Sequence, residues 1–157
     1  MSKHVYVRMN VVEAVEMSRK EYCETRGWEL PPNENPDERV MMVTYADGYI
    51  SMCPKDKFHA VSVECNDGCC TFGYAITECL YHGKRIKRVG WNGEKQFVRF
   101  ETVGLLADAV PNSNGIAPTS SCFVFHFRNR HTGETGIQVG WLASQADMAA
   151  NDWVVMD

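Results

Sequence analysis

The residues best suited to chemistry lie in two short stretches, "KRIKRVGWNGEKQF" (84–97) and "GWLASQADMAANDW" (140–153). The first places Arg88, Trp91 and Asn92 within five positions, with Phe97 just beyond. The second carries Ser144 and Asp147. These residue types could meet a base and a phosphate. An indole offers a flat face to a purine, and a guanidinium clamps a phosphate. Carboxylate, hydroxyl and amide groups take ribose hydroxyls. Phe97 and Phe100 fall on opposite faces of a strand, so at most one of them belongs to such a site.

Each candidate has an ordinary alternative. Lys84 and Lys87 read as the solvated guard of an edge strand. Ser144 and Asp147 suit the N-cap and first turn of a short helix. Trp141 and Trp153 adjoin apolar strands and are expected to pack the core. His82, His126 and His131 are scattered, and His126 sits in an apolar strand as a satisfied structural residue would. The chain has no nucleophile elbow, no His-x-x-x-His and no phosphate-binding Gly-x-x-x-x-Gly-Lys loop. An Asp147/Asp152 pair suits acid–base work, but helix capping explains Asp147 equally well. Binding without catalysis is therefore the expectation, with no cofactor.

Seven cysteines are an odd number for a disulfide scaffold. In "CNDGCC" (65–70) the spacing is wrong for zinc, no second Cys or His pair answers it, and adjacent Cys69 and Cys70 diverge in an extended backbone. Ordinary thiols are expected there, and no metal.

A chain of 157 residues suits one domain or two small ones. Residues 1–70 hold 8 of the 16 Lys+Arg and 12 of the 20 Asp+Glu, so the whole net charge of −4 resides in that half. An acidic chain argues against general nucleic-acid binding, which relies on broad positive surface, but allows a local anion pocket. No segment has the apolar length of a membrane span, and "MSKHVYVRMN" lacks the layout of a signal peptide. A cytoplasmic protein is expected.

The elements that must position these residues read as α+β in two small units. In "VYVRMNVVEAVEM", Val5, Val7, Met9, Val11, Val15 and Met17 share one parity and predict a half-buried strand. Ser18 with Glu21 forms a capping box for a helix that Gly27 closes. "LPPNENPDE" is a loop. "VMMVTYADGYISM" predicts a hairpin on Asp47-Gly48, and "PKDKF" starts a helical turn after Pro54. A linker at 65–70 then divides a first segment (1–64) from a second (71–157). The second opens with a helix from an N-cap at Thr71 to a stop at Gly83. A hairpin on Asn92-Gly93 follows, then a long polar loop (103–121), a hairpin on "HTGE", a short helix at "SQADM" and a final strand "DWVVM".

The succession of "FGYAITECLYHGKRIKRVGWNG", "QFVRF" and "GWLASQADMAANDWVVM" resembles the anti-Thoeris sponge proteins of phages and prophages, the second Thoeris anti-defence type, over residues 71–157. The resemblance implies a homotetramer in the bacterial host cytoplasm that sequesters cyclic ADP-ribose isomers made by TIR proteins, without degrading them. Some relatives also capture cyclic dinucleotides. It implies ligand contacts from Arg88, Trp91, Asn92 and Asp147, which match the motif, in a cleft shared between copies. The 103–121 loop is longer and more polar than a minimal version needs. Other members of the same domain family are associated with inhibition of CRISPR nucleases. A protein-binding inhibitor of a defence nuclease is therefore the alternative, with the acidic first half as its contact surface. That half resembles a short segment found in many phage proteins that often ends in Ser-Trp-Ser-Pro-Lys. Here Met52 and Cys53 precede Pro54 instead, and no activity attaches to the segment.

Overall fold

The computed structural model describes residues 3–93, 95–102 and 120–157. The chain divides into two compact units, Met1–Val63 and Glu64–Asp157. The expected 103–121 loop falls, but for its last two residues, outside the described ones. No helix among them is long and apolar enough to cross a membrane.

The first unit is an antiparallel sheet in the order β1 (Val12–Ser18), β2 (Arg39–Tyr45), β3 (Ile50–Pro54), with helices α1 (Arg19–Arg26) and α2 (Lys55–Val61). α1 begins on the expected box: Ser18 Oγ accepts the Glu21 N–H, and Glu21 accepts the Ser18 N–H in return. It ends at Gly27, whose φ of 68° is the left-handed conformation that glycine adopts without strain. Tyr22, Cys23 and Val40 form the core, with Met17, Met42 and Met52 packed on it. Arg19 reaches Glu34 Oε2 at 2.5 Å and Glu38 Oε2 at 2.7 Å, which ties the Pro/Asn loop to the helix.

The predicted first strand is shorter than its pattern. β1 begins at Val12, and residues 3–11 lie outside regular structure. Every residue of β2 is already paired, from Val12↔Tyr45 to Ser18↔Arg39, so no rung remains on it for the earlier alternation. Val5 is accordingly 96% exposed; within the paired β1, Val15 is 54% exposed, although Met17 of the same parity packs on the core.

In the second unit, α3 (Phe72–His82) lies on a five-stranded antiparallel sheet of order β7-β6-β5-β4-β8. The strands are β4 (Arg85–Arg88), β5 (Phe97–Glu101), β6 (Cys122–Arg128), β7 (Thr135–Val139) and β8 (Trp153–Met156), and a short helix α4 (Gln145–Met148) precedes β8. Thr71 caps α3 by accepting the Tyr74 N–H, and Gly83 terminates it at φ 67°. The helical spacing read from the sequence does its work here. Ala75 and Cys79 are fully buried against Ile86, Val98 and Trp153, while Leu80 stays partly exposed. Cross-strand partners Ile86↔Val98 and Val98↔Phe125 line up on the face under α3, with Phe100 and Phe123. Alternation sends Phe97, Glu101, Val124 and His126 to the other face.

Cys70, expected in a linker, belongs to this core instead. It exchanges two backbone hydrogen bonds with Trp153 and is buried. No disulfide forms among the described residues. Burial pushes the Cys70 and Cys79 thiols up to about 11, as suits packing rather than reactivity.

The tight Asn92-Gly93 turn is not formed. β4 and β5 pair antiparallel at Ile86↔Val98, but residues 89–96 separate them. A two-residue type I′ turn needs positive φ at both central residues, and neither has it, whereas Lys95 does, at 61°. Tertiary contacts override the local preference. The Val89 N–H bonds to the Asp152 carbonyl at 3.0 Å, and the Trp91 N–H turns back to the Arg88 carbonyl at 3.3 Å. The loop thereby lays the indole against the core instead of extending the hairpin.

Ile86 is fully buried where β4, β5 and α3 meet. Its replacement by Ala is expected to cost about 2–5 kcal/mol through lost burial and a residual cavity. Urea unfolding followed by tryptophan fluorescence checks this, with a midpoint shift at unchanged slope as the expected outcome.

Candidate ligand-binding cleft

The site is built on one arginine. Arg88 stands opposite Trp153 in the β4–β8 ladder. Its guanidinium faces two acids from the second motif. Nε donates to Asp152 Oδ1 at 2.7 Å and Nη2 to Asp152 Oδ2 at 3.3 Å, a bidentate pair, while Nη1 donates to Asp147 Oδ1 at 3.1 Å. All three side chains are mostly shielded, at 23%, 15% and 21% exposure for Arg88, Asp147 and Asp152.

Asp147 is held from the other side by its own helix. Ser144 Oγ accepts the Asp147 N–H at 3.1 Å, and the Ser144 N–H and Oγ–H both reach Asp147 Oδ2, at 3.1 and 2.7 Å. This is the capping role expected for Ser144 and Asp147. The Asp147 carbonyl also accepts the Trp153 indole N–H at 2.9 Å. Burial pushes the Asp147 carboxyl up, but hydrogen bonds from Ser144, Arg88 and Trp91 outweigh it and hold the group below the ordinary carboxylate value. Asp152 is lowered chiefly by Arg88, against a smaller desolvation effect.

Above this ion pair lies an aromatic cluster. The Trp91 ring stands edge-to-face on Phe125 (5.3 Å between centroids), Trp153 (5.5 Å) and Trp141 (6.2 Å). Each such pair contributes on the order of 0.5–1.5 kcal/mol beyond the area it buries. Trp153 is fully buried. The other three rings are only partly buried and line an open cleft of about 370 Å³, together with Gly90, Asn92, Gln96 and Asp147. Gln96 Oε1 accepts the Gly93 N–H at 3.0 Å, which fixes the amide. A Cβ on Gly93 would come within 2.1 Å of Gln96 Cδ, so any side chain there would displace the Gln96 amide from this bond.

The structure thus brings Trp91, Asn92 and Asp147 into one cleft, with Arg88 and Ser144 behind Asp147. Arg88 differs from the phosphate clamp expected of it, since three of its five N–H donors already serve Asp147 and Asp152. Phe97 is placed elsewhere. It stacks on His126 at 4.4 Å with an 8° interplanar angle, under the Arg85 guanidinium, on the sheet face away from α3. His126 is not the satisfied residue its strand suggested. Its buried Nε2 has no hydrogen-bond partner among the described residues and lies 3.5 Å from Glu101 Oε1.

Sequence reasoning missed Gly90 and three side chains of the lining. Trp141 was assigned to the core alone, though its place in the second motif was a signal. Phe125 carries no local signal, because its position depends on the β5–β6 register. Gln96 is marked only by its spacing from Gly93.

Fold and cleft define a small antiparallel α+β domain in which two distant motifs close around an Arg–Asp–Asp ion pair and an aromatic cleft. The chain belongs to the Thoeris anti-defense 2-like domain family, whose model matches residues 70–156, more than half its length. That membership supports an anti-defence role against Thoeris systems. No match was found among curated proteins. The family boundary at residue 70 takes in Cys70, which pairs with Trp153.

Two carboxylates left without Arg88 would repel each other in a shielded site. Arg88→Gln is expected to lower stability by about 1–3 kcal/mol at pH 7, less than for a fully buried pair because all three groups keep some water. Both aspartates have folded values below their unfolded ones. The stabilisation they provide is therefore present above the unfolded value and is lost as pH falls through about 4 toward the folded values. The deficit of Arg88→Gln should shrink over that window. Urea unfolding of both proteins at pH 7 and pH 4 measures it, and a deficit independent of pH would place the damage elsewhere.

Proposed function

We propose that this protein binds and sequesters a cyclic nucleotide immune signal, a cyclic ADP-ribose isomer or a cyclic dinucleotide, without degrading it. The observation that carries this reading is the cleft itself. Its volume of about 370 Å³ falls within the range of small-ligand pockets. Three aromatic side chains offer contact to a base, and the side-chain amides of Asn92 and Gln96 can bond sugar hydroxyls or base edges. Asp147, pinned by Ser144 and Arg88 and held deprotonated, suits a fixed acceptor better than a proton-transfer group. Family membership supports a small-molecule signal as the kind of partner.

The protein acts as a homotetramer in the bacterial host cytoplasm on this reading. A second copy over the open cleft would supply the enclosure that a domain of this size lacks. Sequestration requires the signal to be held below its effector's threshold, so nanomolar affinity, about −12 kcal/mol, is expected.

The test is thermal unfolding against a panel of cyclic ADP-ribose isomers and cyclic dinucleotides, with bound ligand released by denaturation and identified by mass. At 100 times the dissociation constant the native state gains roughly 2.7 kcal/mol, a shift of several degrees. Recovery of intact ligand supports sequestration. Recovery of a chemically altered ligand means an enzyme, and the absence of any shift redirects the search to a protein target such as a defence nuclease. Asn92→Ala is expected to weaken binding by about 1–3 kcal/mol through one lost buried hydrogen bond, with the unliganded melting temperature unchanged. Titration calorimetry of the variant gives that number.

A further inference from the structure

A nucleotide of either class carries phosphates, and the cleft as described has no cation facing it. Arg88 is neutralised by two aspartates, so that group as a whole bears one negative charge and repels a phosphate. Charge compensation must come from another place.

A second cavity adjoins the first and shares Asn92 with it. It measures about 400 Å³ and is lined by Asn92, Arg128, Asn129, Arg130 and Gly133. Arg128 ends β6 and Arg130 lies in the β6–β7 connection. Neither is paired with a carboxylate among the described residues. Each is instead oriented by a backbone carbonyl. Arg128 Nε donates to the Gly133 carbonyl at 2.8 Å, and Arg130 Nη2 donates to the carbonyl of Asn92. Such anchoring fixes the planes of both guanidinium groups and leaves most of their N–H donors open. The hairpin end is held by its own local bonds. Asn129 Oδ1 takes the His131 N–H and the Thr132 N–H, at 2.9 and 3.3 Å. Gly133 is left-handed at φ 73°, and a Cβ there would lie 3.5 Å from Arg128 Nη2.

The geometry points to Arg128 and Arg130 as the anion subsite of the cleft, taking the pyrophosphate or phosphodiester of a ligand whose base lies among Trp91, Phe125 and Trp141. The base-binding half of this inference rests on the function proposed above, whereas the anion half stands on the two arginines and their cavity. Asn92 joins the two halves. Its carbonyl fixes Arg130, and the residue lines both spaces. A guanidinium pair held in this way engages phosphate oxygens in bidentate fashion, with an affinity that falls as salt rises.

Two measurements test the subsite separately from the function. In the first, inorganic pyrophosphate is titrated into the full-length protein and followed by NMR of the arginine Nε–H and Asn92 amide signals. A saturable shift at about millimolar concentration is expected at Arg128, Arg130 and Asn92. It should be lost in Arg128→Gln/Arg130→Gln and kept in Lys84→Gln, a control at an exposed lysine elsewhere. No saturable shift at these positions, or one that survives in the double variant, overturns the proposal. In the second, each cyclic nucleotide that binds the wild-type protein is titrated into Arg128→Gln and Arg130→Gln singly. A tenfold or greater loss of affinity at unchanged melting temperature is expected, and unchanged affinity overturns the assignment. Pyrophosphate binding without any cyclic nucleotide binding would leave the anion site standing while removing the sequestration reading.

Discussion

The second unit depends on the charge contact between Arg88 and the pair Asp147/Asp152. Arg88 belongs to β4 in the middle of the chain, whereas the two acids flank the turn between α4 and β8 near its end. A guanidinium and two carboxylates shielded to this degree are stable only together, because removing any one leaves a charge without its partner in a poorly solvated place. The requirement fixes where β8 runs along β4 and how α4 approaches the sheet. Once β8 is in register, Trp153 enters the core, its indole N–H bonds the Asp147 carbonyl, and its backbone takes Cys70 as a partner. Stability and position come here from the same contacts.

The aromatic cleft follows from that arrangement. Trp91 comes three residues after Arg88, on a chain that leaves the sheet where Val89 binds the Asp152 carbonyl. Its ring therefore falls over Trp153, within reach of Trp141 and Phe125. Edge-to-face packing suits a cluster that must remain partly open, since each indole supports its neighbour and still offers a face or edge outward. On the function proposed above, such a wall, bordered by the Gln96 amide that the Gly93 N–H holds, would need little reordering to accept a planar ligand.

Electrostatic roles are divided between two arginine settings in this unit. Arg88, in the basic strand, is enclosed by acids and organises the fold. Arg128 and Arg130, at a hairpin end and in no ion pair among the described residues, are held by carbonyl groups that do not cancel their charge. Residue type is the same in both cases, and the partners decide whether the guanidinium builds the protein or faces what the protein meets.

Local rules carried far in the sequence. The capping box at Ser18 and Glu21, the glycine stops at Gly27 and Gly83, the span of α3 and the cap at Ser144 were legible because each rests on contacts within a few residues. The two motifs also meet in space, since Trp91, Asn92 and Asp147 line one cleft. Expectations departed from the fold where long-range partners prevailed. Residues 3–11 alternate like a strand but find every rung of β2 taken. Asn92-Gly93 favours a tight turn but yields to the packing of Trp91. Phe97 has the right type and spacing, yet strand alternation turns it to the other face beside His126. By itself, then, the sequence determined the family, the α+β class and the local elements, because these follow from short-range pattern and motif. Tertiary structure alone decided that Arg88 serves two acids, that Phe125 and Trp141 share the cleft with Trp91, and which arginines remain available. Those outcomes depend on strand register and on charges that meet across about 60 residues of chain, and no local pattern encodes either.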